Sequence, residues 1–352
     1  MKIERFFNFG FTLLLLLCAA SLLTGPLTGT ALAKTYSLKI QSAFPHGDKS
    51  MDTLVDFAAS AEKRSNGQVK IKVFAAPEIV PWDQVLSACK RGTIDMMAGA
   101  GVVWGEIIPV AYVEFGLPGA FIVEGEDDFK KQASALRDLC YDKGLIDIFR
   151  AEYAKQGVYF LDIHVVGPVP VTVSKVNPKK CSDLEGLICR SDGLNMIYQT
   201  AVGMKTISVP GEEAYLSFKT GVLDAGEWDI SCITGLKWYE VAPYWLRGME
   251  NDHALQSISV NMKKWNSFPD DIKQAIMGAA EDFFWVTVDA YKGEVEAAYQ
   301  LEKDGKLTIV ELDQECKDKY DAMAKKILNE EIGDDPATIK AVDIIKKWRG
   351  WN

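Results

Sequence analysis

The feature that most constrains the fold is a repeated switch between two hydrophobic periods. Tyr36-Ser37-Leu38-Lys39-Ile40-Gln41-Ser42-Ala43-Phe44 alternates apolar and polar side chains and ends at Phe44-Pro45-His46-Gly47, which predicts a strand running into a loop. Leu54, Val55, Ala58, Ala59 and Ala61 then recur at helical spacing before Ser65-Asn66-Gly67, the pattern of an amphipathic helix with a glycine stop. Val69, Ile71 and Val73 return to period two. Residues 81–91 read as a short helix with proline in its first turn and Gly92 at its end, and 94–98 form a third strand. A βαβαβ order of this kind calls for a mostly parallel sheet with helices on both faces.

The pattern continues beyond the first unit. A Gly- and Pro-rich stretch over 99–119 carries Trp104, Tyr112 and Phe115, and is expected to be irregular, partly buried and lining something. Residues 127–156 read as a charged amphipathic helix broken at Gly144. Apolar strands at 158–164 and 169–173 flank Gly167-Pro168, a natural crossing between lobes. A second βα series follows, with strands at 187–190, 205–209 and 223–228 and helices at 195–202 and 210–219, the last closed by Gly221. Residues 272–303 contain no proline and keep helical spacing through Phe283, Phe284, Val286, Tyr291 and Val295. That run is longer than most globular helices and is expected to brace both lobes. The reading is therefore an α/β chain in two lobes. Residues 34–160 plus 248–268 make lobe I, 161–247 plus 305–352 make lobe II, and 269–304 are the long bridging helix.

Lys2 and Arg5, an apolar run over 11–23 and Ala31-Leu32-Ala33 form the three-part layout of a secretory signal. Cleavage is expected after Ala33, which places the mature chain in the periplasm. Cys18 lies in the leucine run, and Leu16 and Leu17 before it are unlike a lipoprotein signal, which prefers small residues. Six further cysteines remain in an oxidising compartment that permits disulfides, and Cys181 with Cys189 is the first pair to test. No C-x-x-C spacing suggests a metal site. The net charge of −10 argues against a nucleic-acid partner, because phosphate binding needs clustered Lys and Arg.

A family pattern is carried by Asp183-Leu184-Glu185-Gly186-Leu187-Ile188-Cys189-Arg190, Gly203-Met204, Val209-Pro210, Glu213-Ala214-Tyr215 and Lys219-Thr220-Gly221-Val222-Leu223-Asp224-Ala225. It resembles the second lobe of DctP-type solute-binding subunits of tripartite ATP-independent periplasmic (TRAP) transporters. Gly67-Gln68-Val69, Val73-Phe74 and Arg91-Gly92-Thr93-Ile94-Asp95-Met96 resemble that family's first lobe. The resemblance implies a two-lobed periplasmic-binding-protein fold of type II-like topology. It also implies TRAP integral membrane subunits as partners and a small organic acid as ligand. Glu227-Trp228-Asp229 and 237–244 resemble the branch that binds 2-oxo acids and related monocarboxylates. In that branch the equivalents of Glu227 and Trp228 help hold a cation, sodium or calcium, that bridges to the substrate. Ile163-His164-Val165-Val166-Gly167 departs from the family, which places a Gln near this crossing. The departure leaves room for an aromatic acid or an amino acid.

Arg190 is the central candidate, since it ends a strand at the carboxyl edge of the second sheet, where open α/β sheets place ligands. Its guanidinium offers a planar fork of donors matched to a carboxylate. The competing reading is a surface ion pair with Asp192 or Glu185. Glu227 beside an anionic ligand requires a bridging cation or a ligand donor such as hydroxyl or ammonium. Trp228 offers a carbonyl or a stacking face, and His164 a donor near the crossing. Phe44, Trp104 and Trp245 are candidate apolar walls. Catalysis has little support: the three histidines sit in no H-E-x-x-H arrangement, and there is no G-x-S-x-G elbow, P-loop or Rossmann glycine fingerprint. The expectation is binding without turnover and without an organic cofactor. A secreted enzyme acting on small acids is the rival class, and oligomeric state is left open.

Overall fold

The computed structural model describes residues 34–351 apart from 116, 118, 119, 124, 127, 249, 251, 252 and 332. The expected signal segment, 1–33, lies outside the described residues. Two sheets organise the chain. The first has the order β2 (Val69–Phe74), β1 (Tyr36–Ser42), β3 (Met96–Gly99), β10 (Ala254–Asn261), β4 (Val158–Val166). The second has the order β11 (Thr308–Glu311), β9 (Tyr244–Arg247), β5 (Val171–Ser174), β8 (Ala225–Trp228), β6 (Ile188–Arg190), β7 (Lys205–Ile207).

The parallel cores follow from the βα alternation: β1 pairs in parallel with β2 and β3, and β6 with β7 and β8. Antiparallel strands arise where the chain crosses between lobes. β10 runs against β3 and β4, and β5 against β8 and β9. The first sheet thus takes in β10 from a later part of the chain, while β5 enters the second sheet directly after the crossing. This is an α/β fold of two lobes with mixed sheets.

The helix Asp270–Lys303 has 34 residues, about 50 Å of axis. Its first part lies on β4 and on the helix Leu54–Arg64, where Phe283 meets Phe57 at 6.0 Å. Further along, Tyr291 donates its hydroxyl to Asp229 at 3.1 Å, just after β8, and Tyr299 accepts from Arg247 at 2.6 Å on β9. The helix therefore touches both lobes. Gly144 adopts φ +84° between the helices Phe129–Asp142 and Leu145–Lys155, a left-handed turn that explains the break. No helix among the described residues is long and apolar enough to cross a membrane.

Two boundaries differ from the sequence reading. β4 continues to Val166, past the lobe boundary drawn at 160, and leads straight to Gly167-Pro168. At the far end, the helix Gln314–Lys326 packs on Asn195–Ala201 in lobe II, but Pro336–Arg349 returns to lobe I and packs on Leu145–Lys155. The disulfide also differs. Cys181 pairs with Cys316 at a Cα separation of 5.0 Å, while Cys189 is a free, buried thiol on β6. Asp313 arranges this, since its carboxylate accepts from the amides of both Cys181 and Cys316 at 3.0 Å. That contact is long-range, so local spacing could not reveal it.

Candidate functional site

β6 and β8 lie side by side with Arg190 opposite Gly226, so their carboxyl ends bring Arg190 and Glu227-Trp228 to one edge of the second sheet. The connection after β3, with Trp104, Tyr112 and Phe115, forms the facing wall. Between them is a cavity of about 400 Å³. Arg190, Glu227, Trp228, Phe44 and Trp104 all line it.

Arg190 is only 6% exposed. Its Nε donates to the Val209 carbonyl at 2.9 Å and Nη1 to the Glu227 carbonyl at 3.1 Å, while Nη2 pairs with Asp192. The guanidinium also lies 4.3 Å from the Trp228 ring centre, a cation–π contact. An arginine has five N–H groups, so these partners leave two for a ligand. The Asp192 pair exists, and it lies in the cavity wall with Arg190 buried and Asp192 half-buried.

Glu227 is 3% exposed. Its Oε2 accepts from Ser191 at 3.0 Å and its Oε1 from Asn195 at 2.9 Å. Burial raises this carboxyl to about 7, against the pull of Arg190 and the Ser191 hydrogen bond. Trp228 reaches across the cleft, where its Nε1 donates to Asp48 at 2.8 Å and its ring meets Phe44 edge-on at 5.4 Å. Nearby, a Cβ added to Gly235 would fall 1.9 Å from the Gly47 carbonyl oxygen. The lobes are in contact across the cavity mouth.

Two expected site residues do not line the cavity. Trp245 is fully buried on β9, packed against Tyr299 at 5.8 Å and Arg247 at 4.8 Å, on the side where the long helix passes. His164 is paired in register with Gln256 of β10, and its Nε2 lies 3.2 Å from the Gln256 Oε1. Burial lowers the ring to about 3, so it is neutral. An amide oxygen only accepts, which places the His164 proton on Nε2. Gln256, not His164, lines the cavity, with its amide orientation set from behind.

Sequence reasoning missed Gln256, Asn195 and Trp82 and weighed Asp192 only as a surface partner of Arg190; all four line the cavity, as does Tyr112 of the stretch expected to line something. Asp192 and Asn195 stand just after Arg190, and that proximity was the available signal. Gln256 carried none. Glu227 and Trp228, where a cation is expected, both line the cavity. Among the described residues, the single convergent group of three Cys, His, Asp or Glu donors is Cys181, Asp313 and Cys316, whose sulfurs form the disulfide.

Two lobes, a contact-closed cleft and a buried arginine at the carboxyl edge of a parallel sheet define a solute-binding protein. Residues 41–334 match the DctP model, bacterial extracellular solute-binding protein family 7. The chain belongs to the DctP family of TRAP solute-binding proteins. It is similar to a monocarboxylate 2-oxoacid-binding periplasmic protein of Nostoc sp., 24% identical over 86% of this chain and 83% of that protein. Among solved structures it resembles a TRAP periplasmic solute-binding protein of Colwellia psychrerythraea with bound calcium and pyruvate. That likeness has a TM-score of 0.78 and 19% identity, and covers 90% of this chain and 95% of that one. It also resembles one of Chromohalobacter salexigens with bound (S)-(+)-2-amino-1-propanol, with a TM-score of 0.79, 19% identity and coverage of 90% and 96%. These structural likenesses establish the fold.

Proposed function

We propose that this protein captures a small organic acid between its lobes, with the acid's carboxylate on Arg190, and delivers it unaltered to TRAP integral membrane subunits. One observation carries the reading: a buried guanidinium with two uncommitted N–H groups faces a cavity of about 400 Å³. In a site that excludes water, a bidentate carboxylate pair is much stronger than on a surface. The cavity suits a compound of monocarboxylate size, and the Nostoc relative is named for 2-oxoacids. Closure stabilised by ligand shifts the population of the closed form, which the membrane partner reads. The export signal and a periplasmic location belong to the same reading.

Arg190→Met tests it. Calorimetry against pyruvate, phenylpyruvate, L-alanine and L-phenylalanine should show every interaction of the parent protein lost in the variant, with an unchanged circular dichroism spectrum. Retained affinity in a folded variant removes the anchor.

A further inference from the structure

The cavity is lined by one cationic side chain, Arg190, and by six carboxyl groups, those of Asp83, Glu106, Asp192, Glu212, Glu227 and Asp229. They are not equivalent. Asp83, Glu106 and Glu212 are exposed at the mouth. Asp229 is buried and turned to Ser231 and Tyr291. Asp192 is paired with Arg190, so the guanidinium charge is already offset before any ligand enters. Glu227 is left as an inner carboxyl whose side-chain partners are the neutral groups of Ser191 and Asn195.

A purely anionic acid entering this cavity meets the negative mouth and then Glu227, with the one cation already neutralised. Taking a second negative charge into that interior is unfavourable unless a positive charge comes with it. An ammonium group on the ligand itself supplies that charge. The lining also carries the aromatic rings of Trp82, Tyr112, Phe115 and Trp228. Such rings favour an organic cation through their quadrupoles. Each Glu227 oxygen accepts one hydrogen bond and keeps a lone pair for another donor.

We propose that the ligand is a zwitterion, an amino acid or a similar ammonium-bearing acid, whose carboxylate meets Arg190 and whose ammonium meets Glu227. The proposal rests on the Arg190 reading given above. It explains why an acidic cavity belongs to a protein that binds an acid: the mouth attracts the cationic end, and the floor holds both ends.

The test is calorimetry on the purified protein with two matched pairs, L-alanine with pyruvate and L-phenylalanine with phenylpyruvate, in EDTA and again with added calcium. The expected result is that at least one amino acid binds in EDTA about tenfold or more tightly than its 2-oxo partner. Glu227→Gln should weaken that amino acid by about tenfold while strengthening the 2-oxo acid. Tighter 2-oxo binding, amino acid binding that requires calcium, or no amino acid binding overturns the proposal. If a 2-oxo acid is preferred and Arg190→Met abolishes its binding, the zwitterion idea alone falls. If the amino acid still binds to a folded Arg190→Met protein, the anchor falls and this proposal with it.

Discussion

The indole Nε1 of Trp228 donates to the Asp48 carboxylate at 2.8 Å, and that bond spans the cleft from the end of β8 to the loop after β1. Asp48 keeps local donors of its own, the Ser50 amide and hydroxyl and the Met51 amide. The indole bond is therefore the inter-lobe part of its network. Burial raises the Asp48 carboxyl, with these hydrogen bonds opposing.

Trp228→Phe keeps an aromatic ring in the wall and deletes this bond. A hydrogen bond to a buried carboxyl contributes about 1.5–3 kcal/mol, so ligand affinity should fall by about tenfold or more. Small-angle X-ray scattering should show a larger radius of gyration for the unliganded variant. Unchanged affinity and dimensions would mean the bond has no part in closure.

Gln256 and His164 should act as one unit. With the His164 proton on Nε2, the Gln256 oxygen is held and its amide nitrogen is left for the cavity. His164→Leu removes the hold without touching the cavity surface. Affinity is expected to drop by about 1 kcal/mol, and Gln256→Leu to cost at least as much. The double variant should be no worse than Gln256→Leu, because both changes remove the same oriented donor. Additive losses in calorimetry would show independent roles.

Glu114 predicts a pH dependence of stability. It is fully buried, accepts from the Tyr153 hydroxyl, and burial raises it to about 8 from 4.5. The folded carboxyl keeps its proton where the unfolded one has lost it. Stability from this group is full below the unfolded value and declines as pH rises through about 8. The Tm contribution of this group should therefore fall from about pH 4.5 to about pH 8 and level off above, and Glu114→Gln, which cannot ionise, should flatten that fall. Because Tyr153 also accepts from Trp104 at 2.5 Å, the same network supports a cavity wall.

The Cys181–Cys316 disulfide spans a sequence separation of 135 residues and ties the turn Cys181–Leu184 to the helix Gln314–Lys326. Closing so long a loop restricts the unfolded chain, and replacing both cysteines by alanine should cost about 2–5 kcal/mol. Urea unfolding checks this. Cys189→Ala, in contrast, should leave the response to reductant unchanged, since its thiol is free.

What the residues determined on their own was local and periodic. Period-two and helical spacing placed the strands and helices of both βα series, Gly144 marked a break, and Arg190 stood at the end of a strand whose carboxyl edge faces the cleft. These features depend on side chains within a few positions of each other, and on the rule that ligands gather at carboxyl ends of parallel strands. The tertiary structure alone decided which aromatic rings face the cavity. Phe44 and Trp228 meet there, while Trp245 packs on Tyr299. It also paired Cys181 with Cys316 and set Gln256 beside His164, 92 positions away. Such pairings follow from strand order and from closure of the lobes. No period in the chain encodes which distant strand becomes a neighbour, because that choice is made when both hydrophobic faces of each sheet are buried together.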